Sequence, residues 1–180
     1  MTKRKLEGAE RRKKLVQLLQ EATTPLPGRA LGEQTGVSRQ VIVGDITLLK
    51  AKGCPIIATS RGYLYIDDAK TDRARRTIAC LHTPEQTAEE LYIFVDHGLT
   101  VNNVIVEHPV YGDLNASIMV SNRKEVDDFI AQVEATNAPY LRHLSETGIH
   151  LHTIEGKDEA AIDEAIRALD EAGFLVSDEA

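Results

Sequence analysis

The sequence predicts an α+β protein whose chain divides into a short, mainly helical part and a longer part that mixes helices with strands. Apolar residues recur at helical spacing near the N-terminus, whereas the two-residue alternation of strands is clearest over residues 113–120. The charge also changes sign along the chain. Residues 1–66 carry 12 Lys and Arg against 5 Asp and Glu, and residues 67–180 carry 9 against 23. A basic N-terminal part followed by an acidic remainder indicates two modules, with a polyanion-binding surface on the first.

The composition excludes several classes of protein. With 180 residues, of which 42% are hydrophobic, the chain has neither a disordered nor a collagen-like composition. No apolar run approaches the ~20 residues that span a bilayer, and the basic N-terminus lacks the apolar core of a signal peptide. Cys54 and Cys80 form no paired motif. We therefore expect a cytoplasmic protein with reduced thiols and no membrane partner.

Two helices are predicted first, over residues 7–21 and about 28–35. Leucines at helical spacing give the first helix an apolar stripe, and Leu31 is the core residue of the second. The sequence TTPLPG between them is a turn, because its prolines cannot continue a helix. Basic runs at 3–5 and 11–14 leave two interpretations open, namely a solvated face and contact with phosphates.

The stretch GVSRQVIVGDITLL at 36–49 predicts a tight turn followed by a third helix. Gly36 suits the left-handed position that ends a helix, and Ser38 suits the N-cap of the next. An apolar stripe then turns one helix face inward. The outward residues can hydrogen-bond base edges or contact a thymine methyl, and a glycine among them permits close approach to a neighbouring surface. The alternative is an ordinary short helix. The outward residues are Ser38, Arg39, Gln40, Val43, Gly44 and Thr47.

A β-hairpin is predicted next, with CPIIAT and GYLYI as strands around the turn at 60–62. Three helices followed by a hairpin form a winged helix-turn-helix, in which Arg61 at the hairpin tip can reach a phosphate or the minor groove. Residues 8–66 resemble the winged helix-turn-helix of biotin-repressor-like bacterial regulators. The resemblance rests on the VSR turn, the Asp45-Ile46 pair and the Gly62-Tyr63 wing.

The second module is predicted to follow a polar linker at 67–76 and to occupy 77–180. Its order is β-α-β-β-α-β with an extra terminal helix, which fits helices packed on one face of a sheet. The sequence TPEQ at 83–86 is a strong helix start with a capping box. Helices are also predicted after Asn122, around 139–146 and over 157–172, and FLV at 174–176 is a candidate last strand.

Histidines in this module form a candidate metal site. His150 and His152 are two apart on a predicted strand, so both side chains lie on one face. His82 ends another strand, and Glu90 lies on the apolar side of its helix, where a carboxylate needs a partner. That partner can be a cation, but an arginine or the backbone would also serve, with the histidines at capped or surface positions.

Residues 75–176 resemble the three-histidine (3H) ligand-sensing domain. The matching motifs are His82, Glu90, the sequence HPVYG at 108–112, and the pair His150 and His152. The resemblance implies that His82, Glu90, His150 and His152 hold one transition-metal ion per chain. Three imidazoles and a carboxylate suit zinc, nickel, iron or cobalt alike.

The same resemblance implies a nicotinic-acid-responsive repressor that controls genes of NAD biosynthesis or niacin transport. Nicotinic acid, or a related pyridine carboxylate, is then the expected co-repressor. We expect His108, Tyr111 and His97 to line its pocket. The alternative for the first two is a purely structural turn, and His97 also suits a helix end. A homodimer on palindromic double-stranded operator DNA is expected, because one winged helix contacts few base pairs.

Two other functions fit the same residues. A metal sensor, in which the ion itself is the signal, is the nearer alternative. A metalloenzyme with a DNA-binding head is the other, because an open metal position can activate water. Against the enzyme, the sequence has no HExxH motif, and no carboxylate outside Glu90 is placed by pattern as a general base. We therefore expect a regulator and not an enzyme.

Overall fold

The computed structural model describes residues 7–66 and 73–176. The chain forms two compact units, residues 1–71 and 72–180, and each is described by itself. Within the described ranges, no helix is both long and apolar enough to cross a membrane.

The first unit has three helices and a two-stranded antiparallel hairpin, as the sequence predicts. The helices are α1 (Gly8–Glu21), α2 (Gly28–Thr35) and α3 (Arg39–Ala51), and the strands are β1 (Ile56–Thr59) and β2 (Gly62–Tyr65). Between α2 and α3, Gly36 adopts the left-handed conformation with φ of 71°. The Ser38 side chain then accepts a hydrogen bond from the Val41 N–H and caps α3. The core consists of Leu15, Leu19, Leu31, Ile42, Ile46, Leu49 and Ile56.

An ion-pair cluster joins α1 to α3. Asp45 is 4% exposed on α3, and its carboxylate lies 2.5 Å from Arg11 Nε and 3.1 Å from an Arg12 guanidinium nitrogen. Arg11 is itself buried. The basic run at 11–14 is therefore not simply a solvated or phosphate-binding face, because two of its arginines form ion pairs with Asp45 of α3. The run at 3–5 lies outside the described residues.

The hairpin is attached to the segment before α2. The N–H groups and carbonyls of Leu26 and Tyr63 exchange two hydrogen bonds, each 2.9 Å long. Next to them, Gly62 has φ of 139°, and a Cβ at this position would lie 2.3 Å from the Leu26 carbonyl oxygen. Only glycine permits this close approach, which fixes the wing beside the helices.

The second unit is built on a four-stranded antiparallel sheet in the order β3-β6-β4-β5. Its strands are β3 (Ala74–Cys80), β4 (Thr100–His108), β5 (Gly112–Val120) and β6 (His150–Gly156). Its helices are α4 (Thr87–Asp96), α5 (Arg123–Thr136) and α6 (Glu159–Glu171). This confirms the predicted α+β fold and its order of elements.

One face of the sheet forms the core with the three helices. Ile78 and Cys80 on β3, Val101 on β4 and Ile154 on β6 are buried together with helical residues such as Phe94. His150 and His152 pair across the sheet with Cys80 and Ile78, so their side chains project from this covered face. The strand pairing thus places two histidines under a helix instead of in solvent.

Some boundaries differ from the sequence prediction. Strand β3 begins at Ala74, inside the predicted linker, of which residues 67–72 lie outside the described ranges. The helix predicted from residue 84 opens as a 3-10 turn at Pro84–Gln86, where the Thr83 N–H donates to Gln86 Oε1. The helix predicted around 139–146 is only a 3-10 turn, Leu141–Leu144. Leu175 makes a single bridge to Cys80 where a last strand was expected.

Candidate metal centre

Three parts of the second unit bring four side chains together. His82 lies just beyond β3, Glu90 lies on α4, and His150 and His152 lie on β6. All four are buried, and Glu90 is only 1% exposed. The capped turn at 83–86 positions the start of α4, so that Glu90 faces the sheet instead of solvent. The structure therefore brings together all four residues predicted as metal ligands.

The side-chain atoms of these residues converge on the Glu90 carboxylate. His82 Nε2 lies 2.9 Å and His152 Nε2 lies 3.2 Å from Glu90 Oε2. His150 Nε2 lies 3.3 Å from Glu90 Oε1 and 3.2 Å from His82 Nε2. The ligand atoms of His82, Glu90 and His150 all lie within 4.8 Å of one another, a spacing that suits a shared ion.

The other ring nitrogen of each histidine faces a backbone carbonyl. His82 Nδ1 lies 2.7 Å from the Thr83 oxygen and His152 Nδ1 lies 2.7 Å from the Asn103 oxygen. His150 Nδ1 lies 3.2 Å from the Gly148 oxygen. Because a carbonyl can only accept, a proton on Nδ1 is the arrangement that satisfies each of these contacts. In the neutral rings, all three Nε2 atoms are then acceptors that face an acceptor carboxylate.

Such a cluster of acceptors needs a cation. A bound transition-metal ion would satisfy three imidazole lone pairs and one carboxylate, and carbonyls behind the rings are the usual supports of metal-bound histidines. The donor set of nitrogen and oxygen atoms thus fits a metal ion, without selecting among zinc, nickel, iron and cobalt.

Charge and burial oppose each other at this cluster. Burial alone would raise the pKa of Glu90, but the neighbouring imidazoles, when protonated, hold that pKa well below its ordinary value. Burial alone would lower the pKa of His152, yet the Glu90 carboxylate raises that pKa above its ordinary value. Burial and the Glu90 charge raise the pKa of the Cys80 thiol. Without a metal ion, Cys80 is therefore a neutral thiol beside the cluster.

A cavity of about 210 Å³ adjoins the cluster. Its wall is mainly apolar, and its size suits a small molecule of about one ring. The cavity is lined by the four clustered residues, by Val104, Ala116 and Ile118 of the sheet, by Thr87, Leu91, Phe129 and Val133 of the helices, and by Pro139, Tyr140, Leu141 and Arg142. The sequence predicted a short helix around this last segment but did not place it at the site, because nothing local in the sequence indicates that it closes over the sheet.

The residues expected to line a ligand pocket are elsewhere. His108 and Tyr111 lie at the β4–β5 turn, where His108 Nδ1 accepts from two backbone N–H groups and Tyr111 is 74% exposed. His97 lies at the end of α4, where its Nδ1–H donates to the Ile93 carbonyl. None of the three lines the cavity. Within one chain, these positions match the structural-turn and helix-end alternatives.

The predicted DNA-reading residues share one open face of the first unit. Ser38, Arg39, Gln40, Val43, Gly44 and Thr47 are all exposed along α3. A Cβ at Gly44 would meet nothing within 4 Å, so this part of the helix surface is free for close approach. Arg61 lies at the turn of the hairpin and is half-buried.

Comparison with known proteins agrees with both units. A family model described as "HTH domain" matches residues 11–64, and one described as "3H domain" matches residues 75–178. The chain is 55% identical over 176 residues to the "Transcription repressor NadR" of Bacillus subtilis, covering 97% of each chain. This chain belongs to the 3H-domain family of transcription repressors. The family predicted from the motifs is confirmed.

A second relative comes from another bacterium. The chain is 41% identical over 169 residues to the "Probable transcription repressor NiaR" of Thermotoga maritima, covering 94% of this chain and 95% of that protein. Both relatives bear the names of repressors and match nearly the full length of the chain. The expectation of a regulator is confirmed, and the metalloenzyme alternative is not supported.

Proposed function

We propose that this repressor responds to nicotinic acid and controls genes of NAD biosynthesis or niacin transport. It binds a palindromic operator as a homodimer, and the acid acts as its co-repressor. The observation that carries the sensing part is the convergence of three imidazoles and one carboxylate at a small apolar cavity. The exposed face of α3 carries the DNA-binding part, since its polar front residues suit base edges in the major groove.

One transition-metal ion held by His82, Glu90, His150 and His152 gives the cavity a Lewis-acidic group. Four protein ligands leave room for a further one in a five- or six-coordinate ion. Nicotinic acid offers a ring nitrogen and a carboxylate for that position, and its ring suits the apolar wall. The organic ligand is favoured over a pure metal sensor, because an ion alone does not need this cavity.

Titration with nicotinate tests this sensing proposal. Calorimetry is performed on zinc-loaded full-length protein and on the same protein after removal of metal by a chelator and dialysis. Nicotinate is expected to bind at least about tenfold more tightly to the metal-loaded form, since a lost charge-assisted contact costs about 1.5–3 kcal/mol. Equal affinity for both forms would contradict direct participation of the metal.

Metal binding is expected to weaken as the pH falls. Since the Glu90 carboxylate raises the pKa of His152 despite its burial, the metal-free protein retains a proton there at higher pH than usual. The ion must displace this proton, so its affinity falls up to about tenfold per pH unit for each proton released. Zinc competition with a chelator, corrected for the chelator's own protons, measures this between about pH 8 and pH 6. A flat profile would contradict imidazole ligation.

Gly44 provides a test of the DNA-reading face. Gly44→Ala is expected to stabilise the first unit by about 0.5–1 kcal/mol, because alanine is the better helix former and its methyl group meets no atom. The same methyl is expected to weaken operator binding if α3 approaches DNA closely. Thermal melting and gel shifts measure the two effects. Gln20→Ala, an exposed change on α1, serves as the control. Higher stability with unchanged operator affinity would exclude close contact at Gly44.

A further inference from the structure

Arg142 lies in the cavity wall, and the proposed function leaves it without a role. It lies in the 3-10 turn Leu141–Leu144, between α5 and β6, and it is half-buried. Its guanidinium contacts the side of the His82 ring opposite Glu90, with Nη1 at 3.2 Å from His82 Nδ1. An always-charged group thus lies beside the cavity and next to a candidate metal ligand.

The guanidinium is poorly satisfied where it lies. Its Nε is buried without a hydrogen-bond partner. Its Nη1 lies 3.2 Å from His82 Nδ1, which also lies 2.7 Å from the Thr83 carbonyl oxygen, so a proton on Nδ1 would leave two donors facing each other. The Glu85 carboxylate interacts with Arg142 through its charge, but no carboxylate among the described residues lies within salt-bridge distance of this guanidinium. Buried donors without acceptors are costly, and a charged donor is the costliest.

A ligand carboxylate would satisfy these donors. Planar guanidinium groups bind carboxylates by two parallel hydrogen bonds, and the bond is charge-assisted. Glu90, the carboxylate that lines the cavity, is already faced by three imidazoles. The remaining wall is mainly apolar, which suits the ring of the same ligand. The cavity therefore has a cationic anchor and an apolar surface for a small aromatic acid.

We propose that Arg142 recognises the carboxylate of the effector and makes the cavity specific for an acid over its neutral amide. This inference rests on the proposed function, because it assigns a residue to the same ligand. Nicotinamide has the same ring as nicotinic acid but no negative charge. A site that holds Arg142 against the ligand rejects the amide, since the guanidinium would then lack a carboxylate at hydrogen-bond distance.

Calorimetry with nicotinate and nicotinamide tests the proposal on zinc-loaded full-length protein. Arg142→Met keeps the length of the side chain and removes the charge, whereas Arg142→Lys keeps the charge and removes the planar fork. Arg167→Met, an exposed change on α6, is the matched control. Zinc content and thermal melting are measured for each variant, so that a folding defect is recognised.

Arg142→Met is expected to lower nicotinate affinity about 10- to 100-fold and to remove the preference for the acid, with zinc content unchanged. The nicotinate affinity of Arg142→Lys is expected to lie between those of Arg142→Met and the wild type. The affinity of Arg167→Met is expected to match that of the wild type. Unchanged nicotinate affinity in Arg142→Met would overturn the proposal, as would loss of zinc or an equal loss for both ligands. Failure of the wild-type protein to bind nicotinate would instead overturn the proposed function, and this assignment with it.

Discussion

His150→Ala is expected to abolish the nicotinate response of operator binding while leaving the ligand-free affinity for DNA unchanged. The substitution removes one of the three imidazoles that face Glu90. Loss of a residue that merely supports a metal ligand lowers metal affinity roughly 10–100-fold, and loss of a ligand itself should lower it further. The first unit has its own core and contains the DNA-reading face, so it should fold without the metal. Gel shifts with and without nicotinate, together with zinc analysis, measure these effects.

His108→Ala is the matched control for this experiment. It removes a histidine of the same unit that lies at the β4–β5 turn and does not line the cavity. We expect its zinc content and nicotinate response to match those of the wild type. If His150→Ala retains a full response, the effector does not act through the cluster. If His108→Ala loses the response, the turn contributes to sensing in a way that the single chain does not explain.

Asp45→Ala is expected to destabilise the first unit by about 3 kcal/mol and to abolish DNA binding at growth temperature. Its carboxylate, 4% exposed, faces the guanidinium groups of Arg11 and Arg12. Removal of one partner from a buried ion pair leaves the other charge without its compensation, which is why the cost exceeds that of a surface pair. Denaturant unfolding, followed in parallel with operator binding, measures the effect.

Glu33→Ala provides the control on an exposed ion pair in the same unit. Glu33 and Arg29 form a pair four residues apart on α2, and both side chains are mostly exposed. Its loss should change stability by no more than about 0.5 kcal/mol. Similar effects of the two substitutions would show that the Asp45 cluster contributes no more than a surface pair does.

The first unit could be predicted closely from local signals. Gly36 and Ser38 mark the end of one helix and the start of the next, and both have the predicted conformations. The stripe of Ile42, Ile46 and Leu49 is buried as expected. The ion-pair cluster could not be predicted, because Arg11 and Asp45 lie 34 residues apart and nothing local distinguishes them from solvated charges.

In the second unit, too, some features could be predicted from local sequence signals and others could not. His150 and His152 share a face because strands repeat every two residues, and Glu90 is anomalous on an apolar helix face. Both signals are local, so the cluster could be predicted. The cavity could not be, because it depends on how α5 and the turn at 141–144 close over the sheet. Arg142 was missed for this reason. His108 and Tyr111 were expected at the pocket from the motif at the β4–β5 turn, which does not fix their distance from the cluster.

Operator binding under four conditions tests the central claim most directly. Full-length protein is titrated onto its own promoter region with and without nicotinate, each in the presence of zinc or of a chelator. We predict that nicotinate tightens binding in zinc, with little effect in chelator, because the proposed effector site at the metal cluster would be coupled to the predicted DNA-reading face. A nicotinate effect of equal size in chelator would contradict this account, as would zinc-dependent binding that nicotinate does not alter.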